Sequence, residues 1–251
     1  AAAAVEEEEE AVLNDPSTTK GANIGVSVVA SMYRALVHGS DYDTPPVWLW
    51  RKAATTVLKS TLKDFFKTET PFSRRLSSFA ANGKFENPEE GTRLRDFVSE
   101  LKTRRGLDAV YCWHTLGGYW GGVSTTSPHL ASLDATVRTP SPTRGLLETE
   151  PALAWDAAAL HGVGVVDHEK LLELFHGMHG YLADAGVDGV KVDGQSGLVP
   201  FGGAAFVRRY VRAMEASVAE HFDANRCINC MCHASDNIFA YRTTAVLRAA
   251  D

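Results

Sequence analysis

From about residue 90 to residue 251, helix-patterned and strand-patterned segments alternate, and this rhythm limits the possible folds more than any other feature of the chain. "PEEGTRLRDFVSELKTRRG" sets Leu94, Phe97, Val98 and Leu101 on one helical face, with Gly106 as the stop. "LDAVYCWH" then reads as a strand. A helix is expected over "HEKLLELFHGMHGYLADAG", capped by Asp167, and the strand "VDGVKVD" follows it. "AAFVRRYVRAMEASVAEHF" is a further helix, "RCINCMC" a short strand and "TTAVLRA" one more strand. Such alternation predicts a parallel sheet covered by helices, either a barrel or an open doubly wound sheet. No G-x-G-x-x-G or Walker-type loop follows any of these strands, which takes weight from nucleotide binding and favours part of a (β/α) barrel. Chemistry is then expected at the carboxyl ends of the strands. The stretch 115–166 reads as irregular and rich in Gly, Ser, Thr and Pro. It is longer than packing requires, as a substrate-covering loop would be.

The first 23 residues are low-complexity, and their block of five glutamates repels itself, so they read as a solvated tail or linker. Residues 24–71 read as a helical segment outside any site. One apolar run covers 24–37, and after Pro45 and Pro46 the residues Trp48, Ala53, Val57, Leu62 and Phe65 recur at helical spacing. Trp48 and Trp50 could face a sugar, but nothing positions them. Acidic residues outnumber basic ones by 31 to 25, which leaves no basic surface for nucleic acid. No apolar run approaches the roughly 20 residues that a bilayer-spanning helix needs. The chain starts at Ala1 and ends at Asp251 with no tail, and both ends read as cuts in a longer chain. Four cysteines, at 112, 227, 230 and 232, are too few and too unevenly placed for a disulfide framework. They suit a reducing compartment, the cytoplasm, with a plastid as the alternative.

Lys191 and Asp193 stand two apart in a strand, so both side chains leave the same face. They precede the exit Gly194, Gln195, Ser196, Gly197. A neighbouring ammonium favours the ionised carboxylate. A structural ion pair at a strand end is the plainer reading of the same two residues. Trp113 and His114 close the preceding strand, and Tyr119 and Trp120 lie between glycine pairs, where their rings could face a sugar or simply pack in a turn. His114 by itself reads as a hydrogen-bonded structural residue. Cys227, Cys230, Cys232 and His233 form C-x-x-C-x-C-H, which is not the usual zinc spacing and has no second half. On a strand, Cys230 and Cys232 share a face that Cys227 does not, so no metal site is expected. Arg248 and Asp251 stand near the end of the last strand. Asp251 opposite Asp193 would complete the carboxyl pair that a glycosidase uses, unless it only pairs with Arg248.

Taken together, "RRLSSFAANGKFEN", "DAVYCWHTLGGYWGGV", "GVGVVDHEKLLELFHGMHGYLADAGVDGVKVDGQSG" and "CMCHASDNIFAYRTTAVLRAAD" resemble, in this order, blocks of one group in glycoside hydrolase family 36. The group comprises raffinose synthase, stachyose synthase and alkaline α-galactosidase (seed imbibition protein). The resemblance covers about residues 72–251. It implies part of a (β/α)8 TIM barrel, about strands three to six, preceded by a helical insertion. It implies retaining chemistry with Asp193 as nucleophile and Lys191 on the galactose hydroxyls. Trp113, His114, Cys230 and His233 would line the galactose site, and Arg248 would hold the sugar near its 2-hydroxyl. Asp251 matches the first of two adjacent carboxylates that supply the acid/base. The group's Asp-Asp-Gly-Trp segment has no counterpart in the chain. The implied reaction is galactosyl transfer from galactinol to sucrose, with hydrolysis of raffinose-family oligosaccharides as the alternative and no metal or organic cofactor. The partners would be these small sugars, not nucleic acid or membrane. A barrel that only binds carbohydrate and a small metal-binding domain are competing classes. Half a parallel barrel leaves open edges, so the 251-residue chain is expected to be inactive alone.

Overall fold

The computed structural model describes residues 73–87, 89, 91, 93–140, 143, 145, 157–223 and 225–248. The expected tail, the helical segment over 24–71, and Asp251 lie outside the described residues. The chain divides into two compact units. Among the described residues, one gathers 74–138 and 163–248, and the other gathers Ser73 and those between 139 and 162.

Three amphipathic helices carry the first unit. Helix α1 (Leu94–Arg105) buries Leu94 and Val98 and stops at Gly106, whose φ of 68° is left-handed. Lys102, Arg104 and Arg105 in its last turn complement the negative end of the helix dipole. In the second unit lies the short helix α2 (Ala157–His161). Helix α3 (Leu171–Asp184) buries Leu171, Leu174, Phe175, Met178, His179 and Leu182, the i, i+3, i+4 stripe its sequence carries. It begins later than its sequence suggests. The Asp167 carboxylate accepts the Glu169 N–H at 2.9 Å and so closes the turn ahead of the helix, whose own N-cap is Lys170. Helix α4 (Gly203–His221) buries Val207, Tyr210, Val211, Met214, Glu215, Ser217 and Val218. A final single turn, α5, covers Ser235–Ile238.

Four strands form one sheet in the order β1 (Tyr111–Thr115), β4 (Gly189–Asp193), β5 (Cys227–Asn229), β6 (Val246–Leu247), every pair parallel. Their order in space follows their order in the chain with no reversal. A doubly wound sheet reverses at its switch point, so this order is compatible with part of a (β/α) barrel. The last two strands are shorter than expected. "RCINCMC" keeps three residues as a strand because Met231 turns left-handed at φ 47°, and "TTAVLRA" keeps two.

The stretch 115–166 is less irregular than it reads. It holds a 3-10 helix (Pro128–Leu133), α2, and the antiparallel pair β2 (Thr136–Arg138) and β3 (Val163–Val165). These elements are too short for periodicity to reveal, and all three residues of β2 are exposed. The glycines of "GGYWGGV" have a definite use. The Val123 N–H donates to Gly164 O at 2.9 Å and the Gly164 N–H to Gly121 O at 2.8 Å. At this crossing a Cβ on Gly122 would collide with the backbone of Gly164, and one on Gly164 with the carbonyl of Val123.

Register assigns the two faces of the sheet. Trp113 pairs with Lys191, Thr115 with Asp193, and Lys191 with Ile228. Alternation then sets Trp113, Thr115, Lys191, Asp193 and Ile228 on one face, and Cys112, His114, Val190, Val192, Cys227 and Asn229 on the other. The second face meets α3 and α4. Val190, Val192, Leu174, Phe175, Val207 and Val211 are fully buried there, each contributing about 1.5–3 kcal/mol.

Candidate active site

Asp193 ends β4 and is 5% exposed. An isolated carboxylate so placed would be neutralised or excluded, and hydrogen-bond donors together with a nearby ammonium keep it charged. The Trp113 indole N–H donates to Oδ2 at 2.9 Å, and the Gly194 N–H donates to Oδ1 at 2.7 Å. The Cys230 thiol donates as well, and Lys191 Nζ stands 3.7 Å from Oδ2. Burial pushes this carboxyl up. The bonds from Trp113, Gly194 and Cys230 and the Lys191 charge outweigh burial and hold it below its ordinary value of 3.8. Asp193 is therefore ionised and already oriented.

Local sequence explains each donor. Trp113 is one residue pair away on the adjacent strand, on the same face. Gly194 turns the chain left-handed at φ 61°, which aims its N–H at the preceding carboxylate. Cys230 follows β5 and is 1% exposed. Its thiol is raised by burial and by Asp193, against the opposing effect of Arg248, so it stays protonated as a donor. Arg248, just past β6, donates to Cys230 Sγ at 3.1 Å, and its N–H donates to Asn229 O at 2.8 Å.

Aromatic rings flank the carboxylate. Trp113 lies 5.9 Å from Tyr119 in a T-shaped contact and 5.2 Å from Trp120 in a tilted one. All three rings are half-buried, an arrangement suited to the apolar face of a sugar. An apolar cavity lined by Leu76, Phe79, Trp113, Tyr119, Met178 and Tyr181 reaches Trp113 and does not reach Asp193.

The sequence-derived set is thus brought together in part. Asp193, Lys191, Trp113, Cys230 and Arg248 meet. His114 does not join them. Its neighbour Trp113 takes the Asp193 face, so the His114 ring enters the helix layer, where Nδ1 meets Thr115 O at 2.8 Å and Nε2 meets His179 Nε2 at 3.1 Å. Burial lowers the His114 pKa to about 4. His233 is exposed, four residues beyond β5 rather than on it, because the strand ends early. Among the described residues the cysteine run does not converge on a point. Cys227 faces Met214 of α4 while Cys230 faces Asp193. The described residues that do approach as metal ligands are His176, Glu220 and His221. There His176 spends Nδ1 on His221 and faces Glu220 with Nε2, so protein contacts account for the cluster.

Sequence reading missed Glu215. Its signal was present, a carboxylate inside the apolar stripe Val211, Met214, Val218 of α4.

The fold and site define a class: a parallel α/β protein whose ionised carboxylate, at the carboxyl end of a strand, sits among hydrogen-bond donors and aromatic rings. Residues 51–251 match the family described as raffinose synthase or seed imbibition protein Sip1, and the chain belongs to that family. It is 36% identical over 191 residues to a probable galactinol–sucrose galactosyltransferase 6 of Arabidopsis thaliana, covering 74% of this chain and 25% of that protein. It is 36% identical over 184 residues to a galactinol–sucrose galactosyltransferase of Pisum sativum, covering 68% and 23%. With the stachyose synthase of Pisum sativum it shares 34% identity over 152 residues, covering 58% and 18%. The chain thus spans about a quarter or less of the length of these relatives. Among the described residues no helix is long and apolar enough to cross a membrane.

Proposed function

We propose that the protein carrying this chain transfers galactose from galactinol to sucrose by double displacement, and that the four parallel strands are strands three to six of a (β/α)8 barrel of the glycoside hydrolase family 36 type. The single observation that carries the reading is the state of Asp193, a buried strand-end carboxylate kept ionised by Trp113, Gly194, Cys230 and Lys191. Names of the relatives support the donor and acceptor.

An Asp193 oxygen attacks the anomeric carbon, and the bond from that carbon to the leaving oxygen breaks. The leaving oxygen takes a proton from a carboxylic acid, which we assign to Asp251. A sucrose hydroxyl then gives its proton to that carboxylate and displaces Asp193 from the sugar. Lys191 and Arg248 hold ring hydroxyls, and Trp113 supports the apolar face of galactose. The reaction requires no metal ion.

Product analysis with galactinol, with and without sucrose, tests the reading. Raffinose formed only when sucrose is present is expected, and Asp193→Asn should lower the rate by at least about a thousandfold. Free galactose in equal yield with or without sucrose would make the protein a hydrolase. Full activity in Asp193→Asn would remove the nucleophile from the reading.

A further inference from the structure

A second buried carboxylate governs the segment that delivers Arg248. Glu215 lies mid-way along α4 and is 4% exposed. Its Oε1 accepts three consecutive backbone N–H groups, from Arg242 at 3.0 Å, Thr243 at 3.0 Å and Thr244 at 2.9 Å, and the Thr244 hydroxyl at 2.8 Å. Its Oε2 accepts the Arg242 N–H at 3.1 Å. Among the described residues no lysine or arginine pairs with it. Converging backbone N–H groups make an anion site, here filled by the protein's own side chain.

Polar side chains extend this grip to Asp193. Asn229 Nδ2 donates to the Thr244 hydroxyl at 3.1 Å, and Gln195 Nε2 donates to Asn229 Oδ1 at 2.8 Å. The Tyr241 hydroxyl donates to Gln195 Oε1 at 2.7 Å and closes the ring. Gln195 stands two residues after Asp193, and Thr244 four before Arg248. Gln195 and Asn229 are fully buried, so the ring cannot slip by exchanging partners with water.

We propose that Glu215 is a positioning residue for the Asp193 site: its charge fixes the turn 242–244, and so sets Arg248 against Cys230, the thiol that faces Asp193. The inference rests on the reading of Asp193 as the nucleophile of galactosyl transfer. Holding one loop does not by itself call for an ion. A buried carboxylate without a cation is a costly way to fasten a segment, and an apolar contact would serve stability as well. What the ion adds is one fixed position for three consecutive N–H groups. A neutral amide cannot match this, because half of its head is a donor.

The experiment compares Glu215→Gln, Glu215→Asp and Thr244→Val with the parent protein. It reads kcat and KM for galactosyl transfer from galactinol, and the S–H Raman band of Cys230, assigned by its loss in Cys230→Ala. Glu215→Gln should lower kcat/KM by about tenfold to a hundredfold. It should also shift the Cys230 band, as Arg248 moves off the sulfur. Thr244→Val, which removes the hydroxyl's bond to Glu215 and its bond from Asn229 but leaves the carboxylate, should shift the band in the same sense by less. It serves as the test if Glu215→Gln does not fold. Glu215→Asp, which keeps the charge, should recover part of both losses. An unmoved Cys230 band with unchanged kcat and KM in a folded Glu215→Gln would overturn the proposal, and so would a Thr244→Val protein with an unmoved band. A parent protein that transfers no galactose, with the band still shifting in Glu215→Gln, would sink the functional reading and leave the positioning role standing.

Discussion

The two faces of the sheet bury polar groups in opposite ways. On one face Asp193 is charged, and its partners are donors from three strands or their ends. On the other, His114 and His179 are neutral and bond to each other, with the His179 ring passing on to Ser217 Oγ at 2.9 Å. Asp193, His114 and His179 are all buried. The difference is that donors can hold an anion, whereas two imidazoles in contact cannot both be cations. Depth of burial therefore does not decide whether a group is ready for chemistry. The sign of its neighbours does.

The largest effect should come from moving the charge one residue. Val192 is fully buried on the histidine face. Val192→Asp would place a carboxylate there without donors and should cost about 3–5 kcal/mol in urea unfolding. Little loss would mean that the helix face can also hold an anion, and the contrast would fail. The next effect is pH-dependent. The unfolded chain protonates His114 near 6.5, but in the fold burial lowers this to about 4. Burial likewise lowers His179, helped by His114, His221 and His176. Below pH 6.5 the unfolded state binds more protons, so stability is complete above that pH and falls as pH drops toward 4. The loss for His114 alone should be roughly 3 kcal/mol. His114→Gln should flatten that slope in thermal melts taken between pH 4 and 7, and an unchanged slope would assign the acid sensitivity elsewhere. The smallest effect sharpens the other face. Trp113→Phe keeps the ring and removes the indole donor, and should cost about 1–1.5 kcal/mol. It should raise the Asp193 titration, read from the carboxyl carbon by NMR. Lys191→Gln should raise it less, because the indole bond depresses that carboxyl more than the ammonium does. The reverse order would mean that the charge, not the indole, keeps the anion.

The helices α3 and α4 were legible because each presents a stripe of about three turns, from Leu171 to Leu182 and from Val207 to Val218. The same rule gives nothing for β2, whose three residues are all exposed, and it overstates β6, which keeps only two residues of "TTAVLRA". Asp193 and Lys191 were legible because their relation is local, two residues along one strand. Alternation also contained the fact that adjacent Trp113 and His114 cannot both face Asp193, and grouping them as one motif hid it. The meeting of Cys230, Arg248 and Asp193 depends on register across three strands, which no single segment encodes. Glu215 was hidden for a related reason. Its partners are backbone N–H groups, which every residue carries and no sequence pattern marks.

The left-handed turn at Gly194 has a consequence for how this protein can vary. A side chain there would be strained at φ 61°, and its Cβ would stand 3.4 Å from Trp120 and 3.6 Å from Thr115. The position is thus closed to drift, while Gly197, three residues later, has open space around it. In a saturation library the first site should return almost only the parent residue and the second a broad alphabet. The dipeptide Asp193-Gly194 is accordingly a better fingerprint for searching genomes than the charged residue alone.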